Sequence, residues 1–381
     1  MMHSSKIRIL HLVTRMNLGG VAISIDNLLE NMDPDRFESL LVTGRCEFPE
    51  KEYYDSTARK YPIKRFQVFH KSFTFFDDIR ASMQIINTIK SFNPDIVHTH
   101  TSKAGVLGRV FTKLFFPRVK LVHTFHGHLL IGYFSPIKLK IVIGIEKILG
   151  LLTDQIVAIG TQVRDDLVEV KVAPVGKFNV FFPGLKPIDL QNREIARSVL
   201  NLDSKYIYCT FIGRLTQIKR VDRVLEVARI VANKNSKIKF LIVGDGELMA
   251  QLQNSVNFEK LPVTFLGWRN EITDILFASD MLLLVSDNEG IPLVLVEAAQ
   301  VGLPIVTTPA GSVEDIAIHE KNALVTSFDP KDLAMAVLTL ADSPLLRESM
   351  SAAGKLIASD LFSIQQMVDK HQDLYRRVLN R

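Results

Sequence analysis

The sequence predicts an α/β protein with two Rossmann-like domains, and three observations carry that expectation. The chain has 381 residues, room for two to three folding units at roughly 100–200 residues each. Short apolar, β-branched runs alternate with helical patterns throughout, as in parallel sheets whose strands are joined by helices. The runs fall into two series, separated by a polar segment containing proline and glycine.

The first series is IRILHLV, DIVHT, KLVHTF, QIVAIG and NVFFPG; the second is YIYCTFIG, KFLIVGDG, VTFLGW, MLLLVSD and PIVTTP. Nearly continuous apolar runs of this kind mark strands buried on both faces. Between them Val21, Ile25, Leu28, Leu29 and Met32 share one helical face, as do Val221, Val224, Leu225, Ala228 and Val231. The separating segment, residues 183–203, is read as a hinge between a first domain of residues 1–185 and a second of residues 186–360. Ligands in such folds bind beyond the carboxyl ends of the strands, so two facing domains would form a cleft lined by strand-end loops.

Composition excludes several classes. Hydrophobic residues make up 47% and charged residues 23%, without biased runs, which rules out disorder, collagen and coiled coil. The most apolar stretch, Leu129 to Leu152, is broken by Lys138, Lys140, Glu146 and Lys147, so it lacks the roughly 20 uncharged residues of a spanning helix. Lys6–Val13 reads as a first strand rather than a secretory signal. Cys46 and Cys209 are the only cysteines and stand far apart, which supports neither a disulfide framework nor a zinc site and leads us to expect a cytoplasmic protein.

Charge is uneven. Residues 1–185 hold 24 basic and 17 acidic side chains, whereas residues 186–381 hold 22 and 24. Residues 96–150 contain eight basic residues (Lys103, Arg109, Lys113, Arg118, Lys120, Lys138, Lys140 and Lys147) against Glu146 alone. Interleaved with Phe, Leu and Ile, they suit an anionic membrane surface. No nucleic-acid motif accompanies them, so nucleic acid is not an expected partner. His98, His100 and Lys103 belong to this stretch and, with Lys138 and Lys140, are candidates for binding an anionic acceptor or the membrane; capping and core packing are the alternative for the first three.

Chemistry concentrates at strand ends. TRMNLGG brings Gly19 and Gly20 to the start of a helix, where free N–H groups and the helix dipole favour a phosphate; a tight turn would use the same glycines. GRLTQIKRVD places Arg214 and Lys219 after the first strand of the second series, a planar fork and a point charge able to neutralise a diphosphate without a metal. In SDNEGIPLVLVEAAQVGLP, Glu289 lies in a loop, Pro292 suits the first helical turn, and Glu297 falls in an apolar helix. Burying Glu297 is costly unless donors meet it, and a ribose diol or an internal cation would serve. The N–H groups of Gly290, Ile291 and Leu293 are available to a phosphate. HTFHGH carries His123, His126 and His128, but H-x2-H-x-H lacks the helical i, i+4 spacing and no carboxylate completes a ligand set, so no metal is expected. In PAGSVED, Ser312 and Asp315 have capping-box spacing.

Together the LGG loop, TFH, GRLTQIK, VGDGE, FLGW and EGIPLVLVE resemble the retaining glycosyltransferases of family 4, which have the GT-B fold. The resemblance runs the length of the chain and implies roles by position. Arg214 and Lys219 would neutralise the donor diphosphate, Glu297 bind the nucleotide ribose, Glu289 contact the transferred sugar, and His126 hydrogen-bond that sugar near the reacting carbon. Gly20 would approach the phosphate from the other domain, and backbone groups around Trp268 and Arg269 would hold the base. The family's asparagine-glycine pair after the last strand of the first domain is replaced by Phe182-Pro183-Gly184-Leu185. GT-B enzymes end in a helix that returns to the first domain, and Ile364, Met367, His371, Tyr375 and Leu379 give residues 361–381 the spacing to do so.

The resemblance implies metal-independent, cofactor-free transfer of a hexose or N-acetylhexosamine from a nucleotide-sugar, with a UDP-sugar as the prior. The acceptor would be a glycan, and the basic apolar face motivates a lipid-linked one on the cytoplasmic side of a membrane. A nucleotide-sugar epimerase of the same fold would need an acid/base pair at the sugar carbon, and a non-catalytic partner subunit need not keep Arg214, Lys219, Glu289 and Glu297 together.

Overall fold

The computed structural model describes residues 6–47, 50–53, 59–70, 72–127 and 135–380. They form two units, one comprising the chain to Gly184 and from Ile364 onward, the other Leu185–Ser363. The first contains β1 (Ile7–Val13), α1 (Gly20–Glu30), β2 (Phe37–Thr43), β3 (Ile63–Arg65), α2 (Phe75–Phe92), β4 (Ile96–His100), α3 (Ser102–Phe115), β5 (Lys120–Phe125), α4 (Pro136–Leu152), β6 (Gln155–Ala158), α5 (Thr161–Glu169) and β7 (Phe178–Val180). The second contains α6 (Arg193–Val199), β8 (Ile207–Ile212), α7 (Val221–Ala232), β9 (Ile238–Val243), α8 (Met249–Glu259), β10 (Val263–Gly267), α9 (Ile272–Ala278), β11 (Met281–Leu284), α10 (Leu293–Val301), β12 (Ile305–Thr307), β13 (Ala323–Val325), α11 (Pro330–Asp342) and α12 (Pro344–Leu361). The last helix, α13 (Ile364–Leu379), belongs to the first unit.

Both sheets are parallel, in the orders β3-β2-β1-β4-β5-β6-β7 and β10-β9-β8-β11-β12-β13. Each reverses direction once, between β1 and β4 and between β8 and β11, and at such switch points the strand ends leave a crevice for ligands. All ten strands expected from the sequence are present; β2, β3 and β13 are additional. Glu38 is exposed within β2, which breaks the continuous apolar pattern, and β3 and β13 are three-residue edge strands.

On one face of the first sheet, Leu28 and Met32 from α1 and its C-terminal end pack with Met367, Val368, Leu374 and Tyr375 of α13 over Ile7, Ile9 and Ile96. On the other face, Ala81, Ile85 and Ile89 of α2 and Ala104 and Leu107 of α3 cover Leu10, Leu12 and Val97. In the second unit α7 buries Val221, Val224, Leu225, Ala228 and Val231, the face read from its periodicity.

The division between the units at Gly184 and Leu185 falls inside the segment read as a hinge, but most of that segment is built into the second unit. Asn192 caps α6, its Oδ1 accepting from the Glu194 N–H at 2.7 Å, and Arg197 is buried with its guanidinium 2.6 Å from Asp280 Oδ2. Most of residues 183–203 is therefore an integral part of the second unit. The chain passes between units beside Leu185, whose N–H donates to the Phe362 carbonyl at 2.9 Å.

Candidate active site

In the second unit the strand-end loops are locked to one another by backbone. Gly213 N–H donates to Val243 O, Gly244 N–H to Gly267 O, and Leu215 N–H to Asp245 O, each at 2.9 Å. A Cβ on Gly244, whose φ is +130°, would stand 1.9 Å from the Gly213 carbonyl oxygen, so the close approach of these loops requires glycine.

Lys219 and Glu289 meet beyond the switch point of β8 and β11. Lys219 ends a short 3-10 turn, and its Nζ lies 2.5 Å from Glu289 Oε1, which also accepts from Ser286 Oγ at 2.6 Å. The two loops are stapled from behind, where Arg223 donates to the Val285 carbonyl at 2.5 Å and to Asp287 at 2.9 Å. Glu289 is buried and Lys219 half-buried. Ser286, three positions before Glu289, thus holds a candidate site carboxylate, a contact not read from the sequence. Arg214 is exposed and has no carboxylate partner among the described residues.

Pro292 stands at the N-cap of α10 rather than inside its first turn. Gly290, Ile291 and Leu293 have backbone N–H groups without acceptors among the described residues, as expected at a helix start. Glu297, in the second turn, has no ion-pair or hydrogen-bond partner among those residues, and burial pushes its carboxyl up to about 7. An internal salt bridge, the plain alternative for this residue, is thus not formed. Arg269 is exposed and donates from Nε to the Leu266 carbonyl at 3.0 Å. Ser312 does not cap a helix: it lies inside the 3-10 turn Gly311–Asp315, and its N–H donates to the Glu289 carbonyl at 3.3 Å.

In the first unit, Gly19 is the exposed N-cap of α1, followed by Gly20. At the switch point of β1 and β4, Thr14 Oγ1 and Thr101 Oγ1 are 2.8 Å apart. Thr101 has φ 65° and ψ 162°, a backbone region nearly confined to glycine and costing about 1–3 kcal/mol. Nothing in the pattern of residues around Thr101 marks it as strained.

His98, His100 and Lys103 are not surface groups, which corrects their assignment to an acceptor or membrane face. Their exposures are 0, 2 and 3%. Strand β4 is central, so its side chains point into the two helix layers, and Lys103 is tied to Asp78 at 2.5 Å and to the Ser72 carbonyl at 2.6 Å. His98 bonds the Tyr375 hydroxyl and Thr124 Oγ1, both at 2.7 Å. His123 is buried against Thr99 Oγ1 at 2.8 Å, and His126 is half-buried at the end of β5. His128 lies outside the described residues. His11, His98 and His100 bring ring nitrogens within 4.8 Å of one another, but both nitrogens of His98 and of His100 are already engaged in hydrogen bonds, so a metal there would have to displace them.

The basic stretch sorts likewise. Arg109 is fully buried with Glu146 at 2.9 Å, and Lys113 and Lys120 share Asp154. Lys138, Lys140 and Lys147 remain exposed on α4. Between them Ile137, Ile141, Ile145, Ile148 and Leu151 are 75, 57, 42, 63 and 75% exposed, and at 100° per residue they form one stripe with Lys138 on one side and Lys140 and Lys147 on the other. No helix among the described residues is long and apolar enough to cross a membrane.

The chain is similar along its length to known proteins. The family model of glycosyltransferase family 4 matches residues 18–187, and that of the glycosyl transferases group 1 matches residues 192–356. A UDP-Gal:alpha-D-GlcNAc-diphosphoundecaprenol alpha-1,3-galactosyltransferase of Escherichia coli is 28% identical, over 97% of this chain and 97% of its own. CapM of Staphylococcus aureus, a capsular polysaccharide biosynthesis glycosyltransferase, is 22% identical over 86% of this chain and 87% of its own. The structure of HepE of Anabaena in complex with UDP-glucose superposes with a TM-score of 0.80 at 18% identity, covering 97% of this chain and 99% of that one. With one family model on each unit and relatives aligned nearly end to end, the chain belongs to glycosyltransferase family 4 and has the GT-B fold.

Proposed function

We propose that this glycosyltransferase is a retaining, metal-independent enzyme. It moves a hexose or N-acetylhexosamine from a UDP-sugar to a lipid-linked glycan acceptor in polysaccharide or glycolipid synthesis. The observation that carries the reading is the presence in one unit of the Lys219–Glu289 pair together with Arg214 that has no acid partner, and Glu297 that has no partner at all, among the described residues.

Each group matches one part of a nucleotide-sugar. Arg214 and Lys219 offer positive charge to a diphosphate, with the free N–H groups at the start of α10 as further donors. Glu297 accepts from the two ribose hydroxyls, which donate what the protein leaves unsupplied. Glu289, held by Ser286, accepts from hydroxyls of the transferred sugar once Lys219 turns to phosphate. As the sugar–phosphate bond breaks, negative charge grows on the departing diphosphate, and fixed cations and backbone dipoles stabilise it without reorganisation. The leaving phosphate itself takes the acceptor's proton, so the reading needs no side-chain nucleophile. By the resemblance to family 4, His126 would hydrogen-bond the donor sugar.

For the acceptor, the support is α4 and the Escherichia coli relative, whose name specifies a diphosphoundecaprenol-linked sugar. An apolar stripe between lysines is the pattern of a helix lying in an anionic interface, which would place the enzyme peripherally on the membrane where such lipids reside.

Calorimetric titration with UDP, GDP and ADP, with and without EDTA, tests the donor site. UDP binding that survives EDTA and is lost in Lys219→Ala is the expected result; binding that requires a metal, or that persists in the variant, would sink the reading. Charge reversal at Lys138 and Lys140 should abolish binding to anionic vesicles, and unchanged binding would remove the membrane part alone.

A further inference from the structure

Three histidines of the first unit form one hydrogen-bonded row. His11 Nδ1 lies 3.3 Å from His100 Nε2, and His100 Nδ1 lies 3.0 Å from His126 Nε2. The inner two are buried, whereas His126 stands half-buried at the strand end, where its Nδ1 has no partner among the described residues. Burial first, and then neighbouring imidazoles, hold all three rings neutral, His11 and His126 down to about 3 and His100 well below its ordinary value.

A neutral imidazole carries one N–H and one lone pair. Each contact in the row needs one of each, so His100 must accept on one side and donate on the other. Only two arrangements exist: every N–H points inward toward His11, or every N–H points outward toward His126. The adjacent groups do not intervene, since His98 is occupied by Tyr375 and Thr124, and His371 Nδ1 by the Met367 carbonyl at 2.8 Å.

The buried end decides between them. His11 Nε2 is inaccessible and has no partner among the described residues. With the inward polarity this atom would be an N–H stranded in the core, and orphaned buried donors are rarer than under-satisfied acceptors. With the outward polarity it is a lone pair. We infer that the row is polarised outward: His11 Nδ1–H donates to His100 Nε2, His100 Nδ1–H donates to His126 Nε2, and His126 presents an Nδ1–H to its ligand.

His11 and His100 are therefore positioning residues. They dictate which kind of oxygen His126 can recognise, a hydroxyl, ring or carbonyl oxygen used as an acceptor. They also bar His126 from acting as a base through Nδ1, its only free nitrogen. That the ligand is the donor sugar rests on the proposed function; the polarity of the row does not.

Long-range proton–nitrogen correlation spectra of the full chain, labelled with 15N-histidine, report each tautomer directly. The His126 signals are assigned by their loss in His126→Gln. At pH 7 the wild type should show His126 as the Nδ1–H tautomer, its Nδ1 resonance moving when UDP-glucose or UDP-N-acetylglucosamine binds. In His100→Phe or His11→Phe the bias should vanish, with His126 shifting toward Nε2–H. A wild-type His126 in the Nε2–H form overturns the proposal, and so does an unchanged tautomer in a folded His100→Phe protein. If the larger ring prevents folding, the wild-type spectrum is decisive by itself. An Nδ1–H resonance that stays fixed while calorimetry shows the nucleotide-sugar bound would overturn the sugar contact and leave the polarity established.

Discussion

Replacing Glu297 by glutamine should make the protein more stable and less able to bind nucleotide, and the size of the first effect follows from the structure. Burial moves the carboxyl from 4.5 to about 7, and at about 1.4 kcal/mol per pH unit keeping it ionised costs the fold about 3 kcal/mol above pH 7. The folded state holds a proton that the unfolded chain has released, so wild-type stability falls as pH rises from 4.5 through about 7 and then levels off. The neutral amide escapes this cost. Urea unfolding of the full chain should therefore find Glu297→Gln more stable by about 3 kcal/mol at pH 8 but by under about 1 kcal/mol at pH 5. Hydrogen bonds to a charged group contribute about 1.5–3 kcal/mol each, so losing the carboxylate should weaken UDP binding at pH 8 by at least about tenfold. In the wild type, affinity should rise with pH through about 7, with proton release on binding. Equal stability gains at both pH values would refute the burial argument, and nucleotide affinity unchanged in the variant would refute the ribose assignment.

Three further perturbations separate structural from surface roles. Arg109→Met leaves Glu146 charged and buried and should destabilise by about 3–5 kcal/mol in thermal or urea unfolding, while the double change with Glu146→Leu should recover most of the loss. Tyr375→Phe removes the hydroxyl 2.7 Å from His98 Nδ1; an unsatisfied buried nitrogen costs about 1–3 kcal/mol, visible as a lower urea midpoint. Ile141→Glu combined with Ile148→Glu, both on the exposed stripe of α4, should change stability by no more than about 0.5 kcal/mol per site yet abolish flotation with anionic vesicles.

The strands of the second unit, and the charged residues that stand beyond them, were conspicuous in the sequence for a shared reason. Strands such as β8 and β11 are covered on both faces, so their apolar runs are uninterrupted, and the residues beyond them, Arg214, Lys219, Glu289 and Glu297, are charged where the pattern would otherwise continue apolar. A lone carboxylate in an apolar helix is visible in one dimension because its cost is local. The basic stretch of residues 96–150 misled for the opposite reason. A buried cation is indistinguishable from a solvated one until its partner is found, and the acids that claim Lys103, Arg109 and Lys113 are Asp78, Glu146 and Asp154, all distant in sequence. The histidine row was equally hidden, since His11, His100 and His126 come together only through the pairing of β1 with β4 and of β4 with β5.

The resting arrangement of the second unit suggests an order of events for nucleotide-sugar binding. Lys219 is satisfied by Glu289, so a diphosphate would have to win the ammonium from a carboxylate, whereas Arg214 has no carboxylate partner among the described residues and could meet it at once. In the proposed donor site, first contact would fall to Arg214 and the start of α10, and the exchange at Lys219 would follow. That exchange removes a cation from a buried carboxylate, which costs several kcal/mol unless new donors arrive, and the sugar hydroxyls are the donors at hand. A bare nucleoside diphosphate can supply the anion but not those hydroxyls. On this reasoning Glu289→Gln, which leaves Lys219 without its resting partner, should tighten UDP while weakening the UDP-sugar, and calorimetry with both ligands reads the two effects separately. If both affinities move in the same direction, the Lys219–Glu289 contact is a structural pair and not an exchangeable one.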